Sequence, residues 1–451
     1  MTTHETAGPT AGMSKGADEP DMARKFLDSF LHEFPSPLGP EAPLPVSLQT
    51  RTLSSAEVEG EVMELALRLL GSRKAPLPLA AALTHAAVEE VLGAELARFA
   101  VKQTSEDEEE KAATLLDAES LQRFFLNELR QVSHRWREQP RPILMPEQPH
   151  LLVSVHAIRN TRRKMEDRHV AIPEFNQLFG IKDGEDRAYF AVFDGHGGVD
   201  AANYTATHLH VNLAHHVDFP KSPGKALQES FQCTDVMFLQ KAKREKLRSG
   251  TTGVAALIVG DMLHIAWLGD SQVMLVRRGE AVTLMDPHKP DREDERERIE
   301  KLGGCVAYMG CWRVNGTLAV SRAIGDIDHK PYVSGDADGA SFKLAGSEDY
   351  LLLACDGFFD AVQPCEVPAL VLEHLKGSQG DGHGVAERLV AAAKHGGSSD
   401  NITVLVVFLR DPSSILADSL RPPQTSDSEE RASNGLFSFF THKSSPQPDK
   451  C

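Results

Sequence analysis

Phe193-Asp194-Gly195-His196-Gly197-Gly198 follows the apolar run Ala188-Tyr189-Phe190-Ala191-Val192 and precedes a helix-like segment from Val199 to Val217. A carboxylate at the end of a buried strand, with glycines after it, places a hard anionic ligand where backbone can approach an ion closely. Asp194 is therefore the first candidate metal ligand. Taken alone, the hexapeptide reads equally as an ordinary strand-to-helix turn, because Asp-Gly pairs form turns readily.

Outward from this stretch the strand pattern recurs at Leu152 to Ile158, Arg187 to Phe193, Gly253 to Val259, Met262 to Leu268, Gln272 to Val276, Tyr350 to Ala354 and Thr403 to Phe408. Gly269-Asp270-Ser271 between two of these runs is a hairpin signal. Helical segments intervene at about Lys225 to Lys246, Asp291 to Leu302, Glu366 to Leu375 and Val385 to Lys394. Hairpin-linked strands with helices between groups of them predict an α+β fold. The expected form is a four-layer α-β-β-α sandwich of two antiparallel sheets, not a parallel doubly wound sheet.

Before this domain the period is helical. Val58, Val62, Leu65 and Leu69, then Ala87, Val91, Leu92, Leu96 and Phe99, then Leu121, Phe124, Phe125 and Leu129 predict three or four helices in an N-terminal extension. Ser105 to Glu110 reads either as a capping box with first-turn acids or as an acidic docking site for a basic partner. Residues 1–45 read as disordered or linker, with a short amphipathic pattern from Met22 to Leu31. Residues 412–451 read as a disordered tail with one apolar island, Leu436-Phe437-Ser438-Phe439-Phe440, that suits a short docking motif.

The formal charge of -17 over 451 residues argues against nonspecific nucleic-acid or anionic-membrane binding, since both reward Lys and Arg. No segment is apolar enough to span a bilayer. The six cysteines form no C-x-x-C pair and read as reduced thiols of a cytoplasmic protein, with nuclear presence compatible.

Acidic sites ending strands or beginning turns occur at Glu166-Asp167, Asp194-Gly195, Asp356-Gly357 and Asp400-Asn401. If neighbouring strands bring them together, the carboxylates cannot all stay ionised without cations. Oxygen ligands without a Cys or His cluster favour Mg²⁺ or Mn²⁺. A carboxylate shared by two such ions about 3.5 to 4 Å apart activates a water and neutralises phosphate charge, which implies phosphate-ester hydrolysis.

The series Arg162-Arg163-Lys164-Met165-Glu166-Asp167, Phe193 to Gly198, Gly250-Thr251-Thr252, Gly269-Asp270-Ser271, Leu318 to Asp326, Asp356-Gly357 and Asp400-Asn401 resembles the metal-dependent type-2C Ser/Thr protein phosphatases, in their order. The resemblance implies that Asp194 bridges two metal ions and that the Gly195 carbonyl and, through water, Glu166 serve one of them. Asp356 and Asp400 resemble ligands of the other ion; Asp270 and Asp360, with Asp356, resemble a weaker third-metal set. Arg162 matches the phosphate-holding arginine, and His196 matches the general acid for the leaving Ser or Thr oxygen. Gln272 and Phe359 stand where family members often carry Arg and Trp.

The helical extension resembles that of the calcium/calmodulin-dependent kinase phosphatases, a branch also described as partners of PIX exchange factors. That likeness implies phosphorylated calmodulin-dependent and Rho-pathway kinases as substrates, with residues 46–140 as the regulatory or docking region and 150–411 as the phosphatase domain. Two other readings stay open: a catalytically dead phosphatase-like scaffold, and a hydrolase of small phosphate compounds. Ligand completeness at Asp194, Asp356 and Asp400 speaks against the first, and turnover of phosphopeptide against free nucleotide separates the second.

Overall fold

The computed structural model describes residues 19–46, 50–101, 114–140 and 151–421. The chain separates into two units, residues 1–148 with 174–184 and residues 149–173 with 185–451.

The first unit is helical, with α1 (Glu19–Glu33), α2 (Val58–Ser72), α3 (Leu77–Leu92), α4 (Ala118–Glu138) and α5 (Phe175–Phe179), and a short antiparallel pair β1 (Thr52–Ser54) and β2 (Leu115–Asp117). Most of the apolar spacing is buried as expected, namely Val58, Val62, Leu65 and Leu69 of α2, Ala87 and Val91 of α3, and Leu121, Phe125 and Leu129 of α4, but Leu92 is exposed at the end of α3 and Phe124 is half-buried. Asp117 caps α4 by accepting from the Ser120 backbone N–H at 2.8 Å. Leu96 and Phe99, expected in the same helix as Val91, lie instead in a separate 3-10 turn, because α3 stops at Gly93.

Two expectations need correction in this unit. Residues 1–45 are not all linker: α1 buries Leu27 and Phe30, and Arg137 of α4 pairs with Asp28 at 2.5 Å. The helical domain also takes in residues 174–184, where α5 buries Phe175 and Leu178, so 150–411 is not one uninterrupted unit. The acidic run 106–110 and the prolines at 142, 146 and 149 lie outside the described residues.

The second unit holds two sheets. The first is ordered β13 (Asp338–Lys343), β7 (Met262–Leu268), β6 (Gly250–Val259), β5 (Arg187–His196), β4 (Arg168–Ile172), with β12 (Ile324–Gly325) also paired to β6. The second is ordered β3 (Leu152–Ile158), β15 (Ile402–Phe408), β14 (Glu348–Ala354), β8 (Gln272–Arg277), β9 (Glu280–Thr283). All these pairings are antiparallel. A separate hairpin joins β10 (Val306–Tyr308) to β11 (Trp312–Val314).

Alternation along the strands builds the layers. Leu351 and Leu353 of β14 point into the core between the sheets with Phe190, Val192, Val254 and Leu405. Tyr350, Leu352 and Ala354 face the other way, onto α10 (Val367–Gly377) and α11 (Val385–His395). Helices α6 (Asp200–Ala214) and α7 (Pro223–Glu245) cover the first sheet, completing the four-layer sandwich. Between the strands run α8 (Glu293–Lys301) and the one-turn α9 (Asp356–Phe359).

The Gly269-Asp270-Ser271 turn does not close a hairpin. It carries the chain from β7 in one sheet to β8 in the other; turn chemistry fixes the local reversal but not which sheet receives the next strand. Asp194 also sits differently from expectation: β5 continues through His196, so Asp194 lies inside the strand, opposite Thr252. Beyond Arg410 the chain is not wholly a tail, because α12 (Pro412–Ser419) forms behind a Pro at its first turn and an Asp411 cap. The apolar island 436–440 lies outside the described residues.

Candidate metal centre

Strands from both sheets end at one cleft of ≈ 660 Å³, whose walls include Arg162, Glu166, Asp194, Gly195, His196, Asp270, Asp356 and Asp400. Asp194 and His196 are two apart on β5 and so share a face. Between them, Gly195 is required by space: a Cβ there would lie 2.5 Å from the Glu166 carbonyl oxygen, so a side chain would hold β5 away from the loop that brings Arg162 and Glu166.

Asn401 fastens that loop. Its Oδ1 accepts from the Glu166 N–H at 2.8 Å, and its Nδ2 donates to the carbonyls of Arg159 at 2.9 Å and Lys164 at 3.0 Å. Asp356 opens α9 directly after β14, while Asp400 precedes the neighbouring β15. The Arg162 guanidinium pairs with the Asp400 carboxylate. Thr252 on β6 and Ser271 share a hydroxyl hydrogen bond of 2.8 Å, which ties the turn bearing Asp270 to the strand opposite Asp194. Asp360 stands apart: it is exposed after α9 and does not line the cleft, although its charge raises the carboxyls of Asp270 and Asp356.

The electrostatics are those of crowded anions. Burial, then the charges of Asp167, Asp356 and Asp270, push the Asp194 carboxyl well above its ordinary range. Burial followed by the Asp356 charge raises Asp270 to about 7. Burial raises Asp167 to about 6 even though the Thr403 hydroxyl donates to it at 2.7 Å. The other oxygen of Asp167, Oδ1, is buried without a hydrogen-bond partner. An orphaned carboxylate oxygen beside several mutually repelling carboxylates is a donor set that fits hard divalent cations. Cys355 lies within 4.8 Å of ligand atoms of Asp167 and Asp194, but burial pushes its thiol well above the usual range, so it remains a protonated neighbour.

These shifts set a sign for stability. Carboxyls raised in the folded state bind protons there at a pH where the unfolded chain has released them, so metal-free protein loses stability as pH rises from about 4 to about 7. Asp167 alone, nearly fully buried and raised to about 6, contributes about 3 kcal/mol across that window. The melting temperature of chelator-treated protein is expected to rise on going from pH 8 to pH 5.5, and excess Mg²⁺ to flatten the profile. A metal-free melting temperature that falls on acidification in this range would contradict the crowded-anion reading.

Three residues of the site stood in the quoted motifs without a role of their own. Asp167 belongs to the Glu166-Asp167 cluster and Asn401 to the Asp400-Asn401 pair, so both were signalled by their neighbours. Asp326 closes the Leu318 to Asp326 run, and its carboxylate lies 2.7 Å from His196 Nε2. It is buried and held in the left-handed region at φ 50. Gly250 leaves room for this pair: a Cβ there would lie 2.1 Å from Asp326 Oδ2 and 2.4 Å from His196 Nε2. Burial pulls the His196 imidazole down, but the Asp326 hydrogen bond and the charges of Asp326, Asp270 and Glu166 outweigh it and leave the ring above its ordinary value. By contrast Arg322 faces away from this chemistry, pairing with buried Glu295 and with Asp338.

A family model described as Protein phosphatase 2C matches residues 151–402. Human Protein phosphatase 1F is 60% identical over 412 residues, covering 90% of this chain and 90% of its own. Mouse Protein phosphatase 1E is 54% identical over 374 residues, 83% of this chain and 49% of its own. In fold, a solved C. elegans sex determining protein superposes with TM-score 0.68 at 23% identity, covering 89% of this chain and 97% of that one. A serine-threonine phosphatase 2C from Toxoplasma gondii does so at 0.52 and 21%, covering 58% and 96%.

Proposed function

The chain belongs to the protein phosphatase 2C family of metal-dependent serine/threonine phosphatases, and we propose that a pair of Mg²⁺ or Mn²⁺ ions serves its cleft. The observation that carries this reading is the convergence of Glu166, Asp194, Asp270, Asp356 and Asp400 beside Arg162 and His196. Asp194, the Gly195 carbonyl and Glu166 would hold one ion, and Asp194, Asp356 and Asp400 the other. Asp270 and Asp356, with the more distant Asp360, would hold a weaker third ion. When bound, the ions supply an activated water and offset the charge of the phosphate.

The chain's own residues do the rest. Arg162 offers a planar fork to two phosphate oxygens, with Asp400 fixing its direction. His196 is steered by Asp326 through Nε2, which leaves Nδ1 to give its proton to the departing serine or threonine oxygen. An imidazole raised above its ordinary pKa by the Asp326 carboxylate favours the protonated form that a general acid needs. Among the described residues no cysteine lines the cleft: Cys355 is buried, and Cys233, Cys305, Cys311 and Cys365 are exposed. Incubation with EDTA should therefore abolish hydrolysis of a phosphothreonine peptide, while a thiol alkylator leaves it largely intact. The opposite pattern would remove the metal assignment, and faster turnover of free nucleotide than of phosphopeptide would favour the small-molecule hydrolase.

For substrates we infer phosphorylated calmodulin-dependent and Rho-pathway kinases, with PIX-type exchange factors as partners of the helical unit. Identity to Protein phosphatase 1F over 90% of the chain extends past residues 151–402, so the helical unit is shared with that relative. Deleting residues 46–140 should lower turnover of a phosphorylated kinase far more than that of a short phosphopeptide; equal turnover of both would refute a docking role. The free thiols fit a reducing compartment, and we place the protein in the cytoplasm, with nuclear presence compatible. No helix among the described residues is long and apolar enough to cross a membrane.

A further inference from the structure

Asp326, whose carboxylate holds His196 Nε2, arrives on a short support. The strand that delivers it, β12, is two residues long and pairs only with Thr251 and Gly250 of β6. The backbone then turns left-handed at Gly325 (φ 88) and at Asp326 (φ 50). A non-glycine residue keeps that conformation only where its surroundings impose it. The Asp326 N–H donates to the Ser249 carbonyl at 3.1 Å, and a second hold comes from a helix.

That hold is Asp235, on α7 and 6% exposed. Its Oδ1 accepts from the Gly325 N–H at 2.7 Å, and its Oδ2 pairs with the Lys330 ammonium at 2.8 Å. Lys330 Nζ also donates to the Ala323 carbonyl at 3.0 Å, so one carboxylate and one ammonium grip the chain on both sides of Asp326. Gly335 leaves room for the grip, since a Cβ there would lie 2.1 Å from Asp235 Oδ2. Buried Leu227, Phe231 and Phe238 fix α7 itself and give the carboxylate a firm base. Asp235 does not line the cleft. A buried ion pair often adds no net stability over apolar residues of similar volume; what this one supplies is direction.

We propose that Asp235, with Lys330, is a positioning residue for phosphate-ester hydrolysis, fixing the Gly325-Asp326 backbone so that Asp326 holds the His196 ring with Nδ1 toward the leaving oxygen. This role rests on His196 being the general acid. As the P–O bond to serine or threonine breaks, its electron pair stays on the departing oxygen, and the Nδ1 proton completes the alcohol. A misplacement of about 1 Å in such a group costs up to about 10²-fold.

Two substrates of the full chain at saturating Mn²⁺ separate the roles: a phosphothreonine peptide, whose alkoxide needs the proton, and p-nitrophenyl phosphate, whose phenolate leaves readily without it. His196→Ala should lower kcat for the peptide by about 10²-fold or more and for p-nitrophenyl phosphate by less than about fivefold. Asp235→Asn leaves a single acceptor oxygen where the Gly325 N–H and Lys330 Nζ each had their own. It should lower peptide kcat by about 30-fold with KM unchanged, and the p-nitrophenyl phosphate rate by less than about threefold. Added to His196→Ala, it should cost the peptide reaction no more than about a further twofold, because it acts through that ring. Lys330→Gln, at a partly buried position, should show the same bias at about fivefold, and it carries the test alone if circular dichroism shows Asp235→Asn unfolded. No loss, equal losses on both substrates, or additive losses in the double variant would overturn the proposal while leaving His196 in its role. Equal losses on both substrates from His196→Ala would instead remove the general acid, and this positioning role with it.

Discussion

Asp194→Ala is expected to lower phosphopeptide turnover at saturating Mn²⁺ by more than about 10³-fold, beyond the usual effect of deleting one electrostatic stabilising group. Asp194 feels the charges of Asp167, Asp356 and Asp270, and in the proposed centre its removal would take away a donor shared by both ions. The fold should survive, because β5 is held by its register with β6 and by the buried Phe190, Val192 and Phe193. Without metal the variant should melt higher than the wild type, since one repelling carboxylate has gone. Circular dichroism and thermal melts with and without chelator, run beside the assay, separate a lost ligand from a lost fold. Near-wild-type turnover would mean that the site is misplaced.

Glu295→Ala is expected to produce the largest loss of stability, about 3–5 kcal/mol, through removal of one partner from a buried ion cluster. The Glu295 side chain is 1% exposed and pairs with Arg298 at 2.8 Å and Arg322 at 2.7 Å. Burial alone would raise its carboxyl, but the hydrogen bonds from Arg322 and Arg298 and their charges hold it at about 2. A depressed carboxyl stabilises above its unfolded value of about 4.3, and that contribution fades as pH falls toward 2. Denaturant unfolding with excess Mg²⁺ at pH 7 should show the full loss, and the difference between variant and wild type should shrink below pH 4. A difference under about 1 kcal/mol at pH 7 would place Glu295 among ordinary surface pairs.

What could be read from the chain divides by range. Asp194, Asp356 and Asp400 were legible because each adjoins a strand-like apolar run and a turn residue, all within a few positions. The layering of the sheets was legible because β14 and β15 are fully buried and separated by helical segments. Asp326 was not, since its role depends on β12 pairing with β6 and on a left-handed backbone that no local pattern announces. Nor was the path through Asp270, where a hairpin-like turn joins strands of different sheets. Helix α1 showed only as a short amphipathic pattern inside a presumed linker, for a different reason. Its spacing of Phe26, Leu27 and Phe30 is helical, but the prolines that follow it gave the whole segment the look of a linker.

The most direct test is anomalous diffraction from crystals grown with saturating Mn²⁺ at pH 7.5. A two-ion centre predicts one peak among Asp194, Glu166 and the Gly195 carbonyl and a second among Asp194, Asp356 and Asp400. An empty map, with those three aspartates turned away from one another, would contradict it.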